Sequence, residues 1–368
     1  MAPSSAAKHP LDGPNRFKLG VFSTNADGGL AITTVPERWR ATWQDNLAAV
    51  TLADEAGLEF ALPIARWKGF GGATNVREWS FETFTWAAAL AAATRRIGLF
   101  ATVHVPLVHP VYAAKALATV DHVSGGRAGL NIVCGWNPAE FAMFGASVDQ
   151  DAYARAAEWI TIIERAYAAC EPFDFKGRFY DLEGVVSRPA SVQAPRPVTM
   201  NAAFGPPGRA FAARHCDYLF STFSDIDDGR RHVDDMRSRA AEAGREVGVY
   251  TVCHVVCRET QAEAEAYYER YAVHEADHAA VDDHMARKKE FAGSHDREAF
   301  DLYRQRFAGG AGTYPLVGTP ERIVEDLIRI AAQGYAGAAL TFVDYAGELP
   351  FFCERVLPLM RQAGLRTQ

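Results

Sequence analysis

Long apolar runs are missing from this chain of 368 residues. None reaches the ~20 residues that a helix needs to cross a bilayer, so no membrane span is expected. A basic excess is missing too. The 38 Lys and Arg stand against 45 Asp and Glu, a net charge of -7 that is mixed in sign along the chain. Nucleic-acid binding would need a basic face, so no such partner is expected. Cysteine is sparse, with only Cys134, Cys170, Cys216, Cys253, Cys257 and Cys353. Their scatter is no disulfide framework, and Cys253 and Cys257 lack CxxC spacing. Buried free thiols in a reducing cytoplasm are the expectation. No GxGxxG follows a first strand, which argues against a dinucleotide-binding fold. No nucleophile triad is obvious in the sequence, and no short internal repeat is visible. Residues 1–16, MAPSSAAKHPLDGPNR, lack an apolar core and read as a flexible tail rather than a secretion signal.

What is present is a globular composition, 49% hydrophobic, in a chain long enough for one large α/β barrel or two domains. Strand-like and helix-like stretches alternate. Strands are expected at Lys18–Ser23, Leu58–Leu62, Ile97–Val103, Ala128–Val133, Val198–Asn201, Asp217–Ser221, Val247–Val256 and Ala338–Val343. Helices are expected from about Trp43 to Gly57, Phe81 to Thr94, Pro110 to Gly125, Tyr153 to Ala169, Pro320 to Gly334 and Leu349 to Met360. Pro110 and Pro320 suit first helical positions, and Thr319 suits an N-cap. Eight strands alternating with helices fit a (β/α)8 TIM barrel over residues 17–368. Two segments break the rhythm, one near 171–197 and one near 274–315. They read as insertions, the second a helical excursion over the barrel mouth.

In such a barrel reactive groups lie at the C-terminal strand ends and in the loops that follow. Strand two offers Ala65 and Arg66, strand three Thr102 and His104, and strand four Asn131, Trp136 and Glu140. Strand five runs into Ala-Ala-Phe-Gly-Pro-Pro-Gly at 202–208. This loop either presents amides to a phosphate at a helix start or is an ordinary turn. Each side chain also has a plain structural role open to it. Asn131 could be satisfied inside the barrel, Trp136 could be packing and Glu140 a solvated carboxylate. Arg66 could pair with a surface acid, and Thr102 is unremarkable on a strand. Their shared location at one barrel end carries the case for a site.

The stretch DHVSGGRAGLNIVCGW, residues 121–136, resembles the flavin-binding core of the bacterial luciferase-like, two-component flavin monooxygenases. FALPIARWKGFGG, residues 60–72, is similar to the matching stretch of the pyrimidine monooxygenases in that superfamily. The resemblance extends from about Lys18 to Met360. It implies a barrel that binds FMN non-covalently. It also implies reduced FMN supplied by a separate NAD(P)H-dependent flavin reductase, and association into homo-oligomers. Carried across, Ala65 and Arg66 contact the flavin, Asn131 and Glu140 hold the flavin or its ribityl chain, and Tyr153 with the amides of Phe204 and Gly205 lies near its phosphate. Thr102 and Asn131 flank the place where dioxygen meets reduced flavin, and Trp136 walls the substrate pocket. The implied reaction is oxygenation of a small organic molecule through a flavin peroxide, with cleavage of a heterocyclic amide or a related carbon–heteroatom bond. Oxidation of a sulfone or sulfonate is the alternative chemistry. Two departures stand out: Ala152-Tyr153 replaces the family's Arg-Tyr, and Ala-Ala-Phe-Gly replaces its Gly-Gly-Ser-Ser or Gly-Gln-Ser. Arg155 is the candidate substitute for the missing arginine.

Two readings compete. His274-Glu-Ala-Asp-His278 matches HExxH, which on one helix would place two histidines on a common face for zinc, with Glu275 as base. The surroundings are charged and carry no familiar third ligand, so no metal is expected. The other rival is a barrel that binds flavin without turning over a substrate.

Overall fold

The computed structural model describes residues 9–148, 150–289 and 306–367. In chain order its strands are β1 (Lys18–Phe22), β2 (Phe60–Leu62), β3 (Gly98–His104), β4 (Ala128–Val133), β5 (Phe173–Lys176), β6 (Asp181–Val185), β7 (Val198–Ala202), β8 (Tyr218–Phe220), β9 (Gly248–Cys257), β10 (Tyr314–Gly318) and β11 (Gly337–Thr341). The helices are α1 (Trp43–Ala56), α2 (Thr83–Ala93), α3 (Pro110–Ser124), α4 (Pro138–Met143), α5 (Ala152–Ala168), α6 (Pro206–His215), α7 (Gly229–Glu242), α8 (Gln261–Glu269), α9 (His278–Lys289), α10 (Phe307–Gly310), α11 (Pro320–Ala332) and α12 (Tyr345–Gln362). Strands β1, β2, β3, β4, β7, β8, β9 and β11 pair in parallel, and β8 with β9 and β11 with β1 close the ring. This is a TIM barrel, and its strands are the eight expected ones with ends shifted by a residue or two.

Side-chain alternation sorts the strands into two faces. Phe60, Leu62, Phe100, Met200, Phe220, Tyr250, Val252 and Ala339 pack together inside the barrel. Leu99, Leu130, Ile132, Val249 and Val255 belong to the layer under the helices. Inside, Phe60 meets Phe100 and Tyr250 edge-on, with centroids 6.2 and 5.6 Å apart. Each such fully buried ring contributes about 1.5–3 kcal/mol, so the barrel floor is a solid core, not a channel.

Residues 9–16 correct the expected flexible tail. His9, Leu11 and Asn15 are buried, and a short 3-10 turn spans Pro10–Asp12. His9 lies edge-on to Phe100, 5.8 Å away, and a Cβ at Gly98, the first residue of β3, would fall 2.8 Å from its ring. Asn15 Nδ2 donates to Glu59 Oε1, whose other oxygen pairs with Arg366 at 2.9 Å. Residues 9–15 and Arg366 therefore plug the N-terminal face of the barrel, while residues 1–8 lie outside the described residues. Local composition concealed this, because the burial is created by the closed barrel and not by the tail itself.

The excursions also take shape. In the first, β5 and β6 form an antiparallel hairpin. In the second, α9 and α10 are helical, while residues 290–305 lie outside the described residues. Its last residues, Tyr314 and Pro315, begin β10, which pairs with Cys253–Cys257 of β9 beyond the point where β8 stops. The last helix starts at Tyr345, earlier than expected. Asp344 caps it by accepting from the Ala346 amide, and Pro350 and Pro358 lie inside it.

Candidate active site

Asn131 and Thr102 face each other across the β3–β4 ladder and are both buried. The Thr102 hydroxyl donates to the Pro63 carbonyl at 2.5 Å and accepts from Asn131 Nδ2 at 3.2 Å. A hydroxyl has one proton, so with Pro63 receiving it Thr102 is an acceptor toward Asn131. Asn131 Oδ1 is left buried with no protein partner among the described residues. A bare buried acceptor is costly unless a ligand or water meets it.

Beside this pair stands a second assembly. Glu140, on α4, is fully buried and spends both oxygens. Oε2 lies 3.0 Å from Arg66 Nη1, and Oε1 accepts the Trp67 amide at 2.9 Å. The Arg66 guanidinium sits 5.1 Å from the Trp136 ring and 5.5 Å from Phe70. Its Nε has no protein partner among the described residues. The turn between β4 and α4 requires glycine at 135. Its φ is +85°, and a Cβ there would lie 2.1 Å from the Phe141 ring. Ala65, also buried, precedes Arg66 in the loop after β2.

Trp136 and Phe70 stack almost parallel, 6.3 Å apart, and His284 of α9 lies 3.9 Å from Phe70. These three rings form an aromatic wall joining the β2 loop, the β4 loop and the second excursion. His104, two residues beyond Thr102, stacks on Phe141 at 6.2 Å. Burial first, and then the charge of Arg66, push its pKa down to about 4, so it is neutral at pH 7.

Tyr153 lies at the start of α5 and packs against α6. A Cβ at Gly208 would fall 2.4 Å from its Oη, and Phe211 is 5.7 Å away. Burial raises its pKa, so the phenol keeps its proton. Gly205 is the N-cap of α6 with no side-chain cap, and Pro206 and Pro207 occupy the first turn. Proline has no N–H, so this helix start offers fewer amide donors than an ordinary one. Phe204 is half-exposed, and its carbonyl accepts from Arg209. The Arg155 guanidinium lies 4.6 Å from the Phe179 ring beside the hairpin.

The structure brings Arg66, Glu140 and Trp136 into one assembly and Thr102 with Asn131 into another, and packs Tyr153 against α6, whose N-cap is Gly205. The sequence reading missed Phe70, Asn137 and His284. Phe70 carried a signal in its glycine-rich loop. Asn137, which caps α4, carried a weaker one as an Asn before Pro. His284 carried none, because only the folded excursion brings it to Phe70.

The HExxH spacing does not become one helix. His274 ends a π-helical turn, Glu275 terminates it, and α9 begins at His278. Glu275 is held by Arg270 at 2.7 Å, and among the described residues no three His, Cys, Asp or Glu side chains gather as a metal site would need.

The luciferase-like monooxygenase family model matches residues 17–337. A curated relative, pyrimidine monooxygenase RutA of Bradyrhizobium sp. strain BTAi1, is 31% identical over 362 residues, covering 95% of this chain and 98% of that protein. Among solved structures, riboflavin lyase RcaE with modified FMN and riboflavin superposes with a TM-score of 0.83 at 21% identity, covering 95% of this chain and 92% of that one. Long-chain alkane monooxygenase LadA superposes with a TM-score of 0.83 at 18% identity, covering 96% and 93%. These superpositions support the fold alone. The family model, together with the curated relative, carries the assignment: the chain belongs to the luciferase-like monooxygenases, a family of flavin-dependent enzymes.

Proposed function

We propose that this enzyme oxygenates a small heterocyclic amide, cleaving a carbon–heteroatom bond, with reduced FMN delivered by a separate NAD(P)H-dependent reductase. The observation that carries the reading is the Asn131–Thr102 pair, buried at the barrel mouth with Asn131 Oδ1 unmet. A flavin ring offers both N–H donors and carbonyl acceptors. The unmet Asn131 Oδ1 and Arg66 Nε are one acceptor and one donor of the kind such a ring would satisfy. The name of the pyrimidine monooxygenase relative supports the substrate class.

When bound, reduced flavin supplies the electrons that activate dioxygen. The protein's part is to orient and to exclude water. Arg66, Asn131 and the Ala65 backbone hold the ring system, and Glu140 acts through Arg66 and Trp67 by fixing their loop. Tyr153, with its proton retained, and the amides of Phe204 and Gly205 bind the phosphate end. Arg155, whose guanidinium lies on the Phe179 ring, is the candidate cation for the same end. The committed hydroxyl of Thr102 denies a loose proton donor to the oxygen site. The wall of Trp136, Phe70 and His284 keeps it dry. Positioning and a low local dielectric do the rest, and no strong base is required.

The test is an FMN titration followed by reductase-coupled oxygen consumption in wild type and Asn131→Ala. The expected result is FMN binding in both, with the variant diverting oxygen to hydrogen peroxide. Absence of FMN binding in wild type, or full coupling in the variant, would overturn the reading.

A further inference from the structure

His254 lies on β9 with the side-chain parity of Tyr250 and Val252, which pack inside the barrel. It stands one inward position nearer the mouth, opposite Thr341 of β11, and is 2% exposed. Three neighbours fix its ring. Nδ1 lies 3.0 Å from the Thr313 hydroxyl. A Cβ at Gly310 would fall 2.3 Å from Nδ1, so the last residue of α10 passes the imidazole at backbone distance. Tyr268 stacks on its face, 5.6 Å away at 15°.

The tautomer follows from one proton. The Thr313 hydroxyl donates to the Gly310 carbonyl at 2.7 Å, so toward His254 it accepts. Nδ1 therefore carries the ring proton, and Nε2 is a lone pair. Nε2 is buried with no protein partner among the described residues. Burial and the charge of Arg306 hold the pKa down to about 3, so the lone pair persists at neutral pH. An imidazole held by Thr313 and Gly310 of the second excursion and by Tyr268 of α8, with a buried unmet Nε2, is a built acceptor.

We propose that His254 is a substrate-positioning residue whose Nε2 accepts a hydrogen bond from a ring N–H of the substrate, so that the enzyme selects heterocycles bearing that donor. This rests on the barrel mouth being the substrate site. A site built around a specific donor rejects analogues lacking it, because the acceptor is then buried unpaired. Fully N-alkylated rings and sulfones, which have no donor, are disfavoured on this account. Thr313 acts through His254 by fixing its tautomer.

The experiment titrates FMN-loaded protein with uracil, 1,3-dimethyluracil and dimethyl sulfone. Wild type is expected to bind uracil about tenfold or more tighter than either donor-free probe. His254→Leu should weaken uracil by about that factor, leave 1,3-dimethyluracil unchanged and erase the preference. His254→Gln, which restores an acceptor oxygen, should recover part of it, and Thr313→Val should reduce it. FMN affinity should be the same in all four proteins. Equal binding of the probes by wild type, preference for a donor-free probe, binding of none, or a preference that survives in His254→Leu would each overturn the proposal. The FMN titration is read separately: wild type that fails to bind FMN sinks the proposed function itself.

Discussion

Glu140 holds Arg66 from 74 residues away, at 3.0 Å, while its second oxygen takes the amide of Trp67. A fully buried carboxylate with both oxygens engaged by the loop after β2 is a brace for that loop. Under the proposed function, its effect on the flavin would run through Arg66.

Glu140→Ala should therefore destabilise the fold as well as weaken FMN. Removing one member of a buried pair costs about 3–5 kcal/mol. Glu140→Gln keeps an acceptor for Trp67 and should cost less. Urea unfolding and FMN titration on the same proteins separate the two effects. An Ala variant that loses FMN at unchanged stability would show Glu140 acting on the cofactor alone.

Thr102→Val preserves shape but removes the proton given to Pro63 and the acceptor used by Asn131. The loss of stability should be about 1–3 kcal/mol. Asn131 is then free to turn, and the peroxide released per oxygen consumed should rise. A peroxide assay beside product quantitation checks this, and unchanged coupling would contradict the assigned role of the pair.

Acid stability should reflect three buried histidines. Burial pushes His9 down to about 3, His104 to about 4 and His254 to about 3. The unfolded chain, with histidines near 6.5, binds more protons than the fold between that pH and these values. Stability is therefore full above about 6.5 and falls as pH drops toward 4 and then 3, by up to about 1.4 kcal/mol per pH unit per histidine. Urea midpoints at pH 7 and pH 5 measure the slope, and His9→Gln should flatten it. An identical slope in that variant would remove His9 from the account.

Arg366→Met should unfold at lower urea while leaving FMN affinity unchanged in the folded fraction. The Arg366–Glu59 pair is buried at the barrel floor, opposite the mouth. Leaving Glu59 uncompensated costs about 3–5 kcal/mol. Reduced FMN affinity in the folded protein would mean that the floor and mouth are coupled.

The sequence alone determined the barrel. Short apolar runs marked its strands, and Pro110 and Thr319-Pro320 marked helix starts that α3 and α11 occupy. These signals are short-range and survive without knowledge of the rest of the chain. Sequence also brought Arg66, Asn131 and Glu140 forward, because residues just past strand ends share one face of a parallel barrel. Only the tertiary structure decided what those groups do. Closure of the ring brings Glu140 to Arg66, the N-terminal segment to Phe100, His284 to Phe70 and Thr313 to His254. Hydrogen-bond partners, and with them the direction of a proton in Thr102 or the tautomer of His254, depend on atoms that meet only after every strand is in register. No local pattern encodes that meeting, because a polar side chain reads the same in sequence whether the fold satisfies it or leaves it open for a ligand.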